Sequence, residues 1–181
     1  MTSKITALVC ASCLTIAASA QNPDAFHNGT AIPSFGKVAS VDSDMRIPKD
    51  AEFKVTFDVG KQADPGTINR TLDSAARFIN MHVEAGVPKE NIHVAVVVHG
   101  SASTDVTNDT FYQKKNEDTH NPNIEAIAAL VKNNTDIYLC GQTAAYRGVT
   151  KDELVPGVKM ALSAMTAHAL LLQQGYTPNP F

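Results

Sequence analysis

From residue 52 onward the chain alternates two hydrophobic rhythms. Phe53, Val55, Phe57 and Val59 interleave with Lys54, Thr56 and Asp58, the period-two pattern of a half-buried strand, and Gly60 ends it. After the turn Ala63-Asp64-Pro65-Gly66, apolar residues recur at Ile68, Leu72, Ala75, Ile79 and Val83. Spacings of three and four predict one helical face, started at Asp64 with Pro65 or at Thr67 and ended near Gly86 and Pro88. Ile92-His93-Val94-Ala95-Val96-Val97-Val98 is almost continuously apolar, which predicts a strand covered on both sides. Asn121-Pro122 opens a second helix with Ile124, Ile127, Ala128 and Val131 on one face. A third strand, Asp136-Ile137-Tyr138-Leu139-Cys140, enters from the polar turn Asn133-Asn134-Thr135 and breaks at Gly141.

The remaining segments are less periodic. Residues 21–51 carry Pro23, Gly29, Pro33, Gly36 and Pro48 without either rhythm, and are expected to form an extended arm draped over the domain or a neighbour. Residues 101–120 form a long polar insertion with a short helix expected at Asp109–Lys115, the kind of segment that serves as lid, interface loop or mobile surface. Thr150-Lys151-Asp152-Glu153 has capping-box spacing, cut short by Pro156-Gly157. Residues 158–174 read as one long helix with two apolar stripes, Val158, Leu162, Met165, Ala169 and Leu172 on one and Ala161, Ala164, His168 and Leu171 on the other. One face is expected to cover the sheet and the other to meet another subunit, with Ala161, Ser163, Ala164 and Ala167 small enough for close approach. The tail with Pro178 and Pro180 is at best an edge strand.

Strands alternating with crossover helices predict an α/β fold: three layers, a mainly parallel sheet with helices on both faces, Rossmann-like or flavodoxin-like. All parallel strands end on one side, where ligands bind in open sheets. That rim collects Asp58 with Gly60, His99 with Gly100, and Cys140 with Gly141. The strand order is not legible.

Composition narrows the setting. Lys4 precedes an apolar stretch over residues 5–18, and Ala18-Ser19-Ala20 is a small-residue cleavage pattern, so residues 1–20 are expected to be a secretory signal peptide and the protein periplasmic or secreted. No membrane span is expected. Cys10 and Cys13 leave with the signal, so Cys140 is the lone mature thiol and an internal disulfide is excluded. What remains suits one domain, residues 52–181, behind the arm. The formal net charge of −3, with signs interspersed, offers no basic stripe for nucleic acid and no cationic amphipathic helix for a membrane surface.

The chemistry these residues can support is that of a thiolate. A cysteine gains nucleophilicity from a cationic or hydrogen-bonding neighbour. His99 and Arg147 are the candidate helpers, and backbone N–H groups at Gly141, Gln142 and Thr143 can stabilise an anion. Against this, a single cysteine ending an apolar strand is as often a small buried filler. Asp58 reads more readily as a turn cap than as a base. His82, His93, His120 and His168 lack zinc spacing, and neither a glycine-rich phosphate loop nor a Cys-x-x-Cys pair is present, so no metal or cofactor is expected.

Five blocks in order carry a resemblance: Phe53-Lys54-Val55-Thr56-Phe57-Asp58-Val59, Val96-Val97-Val98-His99-Gly100, Asn121-Pro122-Asn123, Ile137-Tyr138-Leu139-Cys140-Gly141-Gln142, and Leu154-Val155-Pro156-Gly157-Val158-Lys159 leading to Gln174-Gly175-Tyr176. Over residues 53–181 the chain resembles the DsrE-like sulfur-trafficking family, in its exported branch. The resemblance implies a three-layer α/β fold, assembly into homotrimers or hexamers, and a cysteine at position 140 that carries a persulfide in relay members. Three readings follow. Cys140 is a sulfur carrier tuned by His99 and its neighbouring amides, exchanging sulfur with a donor or acceptor protein or a small sulfur compound; this is a carrier rather than a turnover enzyme, because no second thiol resolves the product. Alternatively, the protein is a non-catalytic oligomeric module for binding a small ligand or for structure, and the cysteine only packs. A third reading makes it a redox sensor with an intersubunit disulfide through Cys140.

Overall fold

The computed structural model describes residues 22–180; the expected signal segment, with Cys10 and Cys13, and the final Phe181 lie outside the described residues. Five parallel strands, β3 (Phe53–Val59), β4 (Ile92–Val98), β5 (Thr135–Cys140), β6 (Val158–Ala161) and β7 (Thr177–Asn179), follow a short antiparallel ribbon of β1 (Phe26–His27) and β2 (Val38–Ala39). The helices are α1 (Arg70–Glu84), α2 (Asp109–Lys115), α3 (Asn123–Lys132), α4 (Gly141–Arg147) and α5 (Ala164–Gln173). The sheet order is β6-β5-β4-β3-β7: the chain steps outward one strand at a time from β3 to β6, then returns across the sheet to the far side of β3. Pro178 is tolerated because β7 is an edge, paired only with β3.

Strand parity decides the layers. Phe57, Val59, Val94, Val96, Val98, Ile137 and Leu139 point to one face and join Leu72, Ala75 and Ile79 of α1 and Ala126, Ile127 and Leu130 of α3 in the main core. The other face carries a thinner cluster, in which Ala95 and Val97 meet Ala167 and Leu171 of α5. The result is a three-layer α/β architecture with a fully parallel main sheet, as the alternation of strands and helices requires.

Four local expectations change. The segment 158–174 is not one helix: Val158-Lys159-Met160-Ala161 pairs in parallel with β5, and the helix begins only after Ser163, whose hydroxyl accepts from the N–H of Thr166. Pairing along an open sheet edge outweighs the helical preference of Lys, Met and Ala. In α5 the small residues Ala164 and Ala167 lie toward the sheet, while Met165, Leu170 and Leu172, with Leu162 just ahead of the helix, are exposed. The start of α1 also moves, because Asn69 caps it by accepting from the N–H of Thr71, leaving Asp64 and Thr67 in the preceding loop. Finally, the first part of the polar insertion is not a mobile lid: Gly100–Val106 forms 3-10 turns with Ala102, Ser103, Thr104, Asp105 and Val106 all buried.

The segment before β3 packs against α1. Ile32, Phe35 and Val38 are buried. The amide of Asn80, itself wholly buried in α1, accepts from Ile32 N–H at 2.8 Å and donates to the carbonyls of Ile32, Phe35 and Gly36. This one side chain answers backbone groups that no strand partner reaches.

Candidate functional site

Because β3, β4 and β5 are neighbours and parallel, their last residues share one rim, and parity puts Asp58, His99 and Cys140 on the face that α5 covers. Val98 pairs with Leu139, so the next position sets His99 beside Cys140 in register. The sheet order that the sequence leaves open therefore makes the imidazole the central member of the three.

Asp58 is not a turn cap. One carboxylate oxygen lies 2.9 Å from Nε2 of His99 and the other 2.8 Å from Nε2 of His168 on α5. A carboxylate can only accept, so both imidazoles carry a proton on Nε2 and donate to it. Partial burial pushes the Asp58 carboxyl up, but the two hydrogen bonds and the attraction of the imidazoles outweigh it, holding the group below its ordinary range. The ring of His99 lies over Gly60, where an added Cβ would come within 2.9 Å of its Cε1.

Cys140 is 6% exposed. Burial pushes its thiol up, yet the nearby hydroxyl of Thr143 and the backbone N–H groups of Thr143, Ala164 and Gln142 pull the other way, and the net effect is a thiol held below its ordinary range. Two chain segments supply these donors: the first turn of α4, which starts directly after the cysteine, and the first residue of α5. Thr143 also accepts from Gly100 N–H at 3.4 Å, so a polar chain runs from the end of β4 through the hydroxyl to the sulfur. Gly141 is required by a close approach, since a Cβ there would meet the carbonyl oxygen of Ala161 at 2.5 Å. Gln142 is exposed and its side chain donates to Leu162 O at 3.3 Å.

Of the residues expected from sequence, the structure brings together Asp58, His99, Gly100, Cys140, Gly141, Gln142 and Thr143. It does not bring Arg147, which sits exposed in the last turn of α4, about 10 Å of helix rise from the cysteine. The thiol is stabilised by neutral donors, and no cation is among the groups that shift it. Sequence reasoning missed His168 and the N–H of Ala164, both of which depend on where α5 begins; Ser163-Ala164-Met165-Thr166, with a capping residue ahead of an apolar run, was the available signal. Among the described residues no group of three or more His, Cys, Asp or Glu side chains is arranged to hold a metal ion, and no helix is long and apolar enough to cross a membrane.

Comparison with known proteins agrees with this architecture. The model of the DsrE/DsrF-like family matches residues 54–177. Among solved structures, the fold is similar to that of MTH1491, a protein of unknown function from Methanobacterium thermoautotrophicum, with a TM-score of 0.54 and 15% identity over 71% of this chain and 98% of that one. It is also similar to the ychN protein from E. coli, with a TM-score of 0.50 and 15% identity over 70% of this chain and 99% of that one. At such identity these likenesses speak for the fold alone. No curated protein matches the chain.

Proposed function

The chain belongs to the DsrE/DsrF-like family, which points to sulfur-relay chemistry, and on that premise we propose that Cys140 takes up sulfane sulfur as a persulfide and passes it on. The thiolate attacks the terminal sulfur of a donor persulfide or polysulfide; a new S–S bond forms at Cys140 and the donor's S–S bond breaks, the electron pair leaving with the donor thiolate. No outside oxidant or reductant is needed. His99, beside the cysteine in register, exchanges the thiol proton, and the N–H groups of Gln142 and Thr143 hold the anionic sulfur. A second acceptor thiolate then removes the outer sulfur and restores Cys140.

The observation that carries this reading is the place of the cysteine, at the sheet rim between the ends of β4 and β6 and directly before α4, where polar neighbours hold its thiol below the ordinary range despite its burial. A cysteine that merely fills an apolar space has its thiol raised by burial, not lowered. The proposal extends to location and assembly: a chain exported through residues 1–20, acting as a homotrimer or hexamer that covers the exposed Leu162, Met165 and Leu172. The test is mass spectrometry after incubation with polysulfide. Wild type gains sulfur, and Cys140→Ser does not; equal masses before and after incubation of wild type would refute the carrier.

One observation favours the packing module instead, namely that Cys140 is only 6% exposed. In that reading the rim binds a small ligand or nothing, and the thiol reacts only after unfolding. The same exposure speaks against a direct intersubunit disulfide, which needs the sulfur at the surface.

A further inference from the structure

We propose that Asp58 and His168 are positioning residues for the Cys140 thiol: by joining the end of β3 to α5, they keep the first N–H of α5 on the sulfur. The inference rests on the reading of Cys140 as the reactive group. It starts from the thinness of the packing beneath α5. Only Ala167 and Leu171 of this helix are buried, against Ala95 and Val97, and its outer side is exposed. Alanine and valine contacts leave a helix free to slide or tilt at small cost, so directional bonds decide where it rests.

Those bonds come from one carboxylate. Asp58 accepts from His99 at 2.9 Å on one oxygen and from His168 at 2.8 Å on the other, tying β3, β4 and α5 together at the rim. His168 lies four residues after Ala164, one helical turn away, so the two positions move as a rigid unit. The start of α5 lies beside the cysteine: Ala161 pairs with Cys140, Gln142 donates to Leu162 O at 3.3 Å, and the N–H of Ala164 is the one group from α5 that lowers the thiol. The other three belong to α4, which is covalently continuous with Cys140 and needs no such anchor. The titratable side chains acting on Asp58 are His99 from the end of β4 and His168 from α5. Removing the carboxylate or the α5 imidazole releases the helix N-terminus, and the thiolate loses one charge-assisted hydrogen bond.

The experiment is the pH profile of Cys140 alkylation by iodoacetamide in the folded protein, for wild type, His168→Ala, His168→Gln and Asp58→Ala. Glutamine can place an amide N–H near the position of Nε2, so His168→Gln is the rescue variant. His168→Ala is expected to shift the profile to higher pH and slow alkylation at neutral pH about tenfold, the effect of one lost bond to a charged group. His168→Gln is expected to return most of the rate. The side chain of Asp58 is 55% exposed and outside the hydrophobic core, so Asp58→Ala carries the test independently and is expected to match His168→Ala. A profile unchanged from wild type in Asp58→Ala, or an equal shift in His168→Ala and His168→Gln, overturns the proposal. Failure of wild type to take up sulfane sulfur, with the variant shifts intact, overturns the carrier reading and leaves the positioning role standing.

Discussion

Asp105 offers the sharpest energetic test of how the polar interior behind the rim is built. It is 1% exposed, in the Gly100–Val106 segment that follows His99, and one of its oxygens accepts from Ala63 N–H at 2.9 Å and from the Asn69 amide at 2.7 Å. The other oxygen is buried without a partner. Burial raises the carboxyl from 3.8 to about 6, against the pull of the Asn69 and Ala63 bonds. Between these two values the unfolded chain has released the proton and the folded protein still holds it. The folded state thus binds more protons, and stability falls as pH rises through this window. Two pKa units at 1.36 kcal/mol each put the cost at about 3 kcal/mol by neutral pH. Asp105→Asn keeps an oxygen for both donors and cannot ionise. Urea denaturation followed by circular dichroism from about pH 4 to about pH 7 should show the variant gaining about 3 kcal/mol on wild type across the window. Any fixed cost of the new amide cancels in that difference. A stability difference that stays flat with pH would refute the assignment of a buried, titrating carboxyl.

Other consequences follow from single contacts. Thr143→Val removes the hydroxyl donor from the sulfur while keeping its volume, so the thiol should titrate at higher pH, seen as a later rise of thiolate ultraviolet absorbance. Asn80→Ala strips Ile32, Phe35 and Gly36 of their buried partner and should cost about 2–4 kcal/mol, with the segment before β3 becoming the first site of limited proteolysis. A double change of Leu162 and Met165 to Glu places charge on the exposed surface at the start of α5 and should convert the proposed oligomer to monomers in size-exclusion chromatography, leaving the melting of the monomer fold intact.

The strands that carry the site were legible because their hydrophobic rhythm is strong. The alternation of strands with crossover helices was enough to put Asp58, His99 and Cys140 on one rim, and continuous apolarity in β4 announced a strand covered on both faces. What escaped was everything that depends on long-range pairing. Val158-Lys159-Met160-Ala161 has helical composition and is a strand only because β5 offers it an open edge. That misreading hid the true start of α5, and with it the donor at Ala164 and the contact from His168 to Asp58. The Asn69 cap was hidden for a similar reason: its backbone N–H donates to Asn123 and its side chain to Asp105, partners 54 and 36 residues away. A polar run such as 101–120 looks like surface until the asparagines that satisfy it are seen; Asn121 alone donates to the carbonyls of Asp105 and Thr107.

Cys140, though almost covered, is held by neutral donors as a thiol that ionises more readily than an ordinary one. Its rate of alkylation in the folded protein, measured against pH and compared with the urea-unfolded chain, tests that most directly. The expected result is reaction in the native state with a midpoint below that of the unfolded thiol. A thiol silent in the native state, reacting only as the fold is lost, would contradict it.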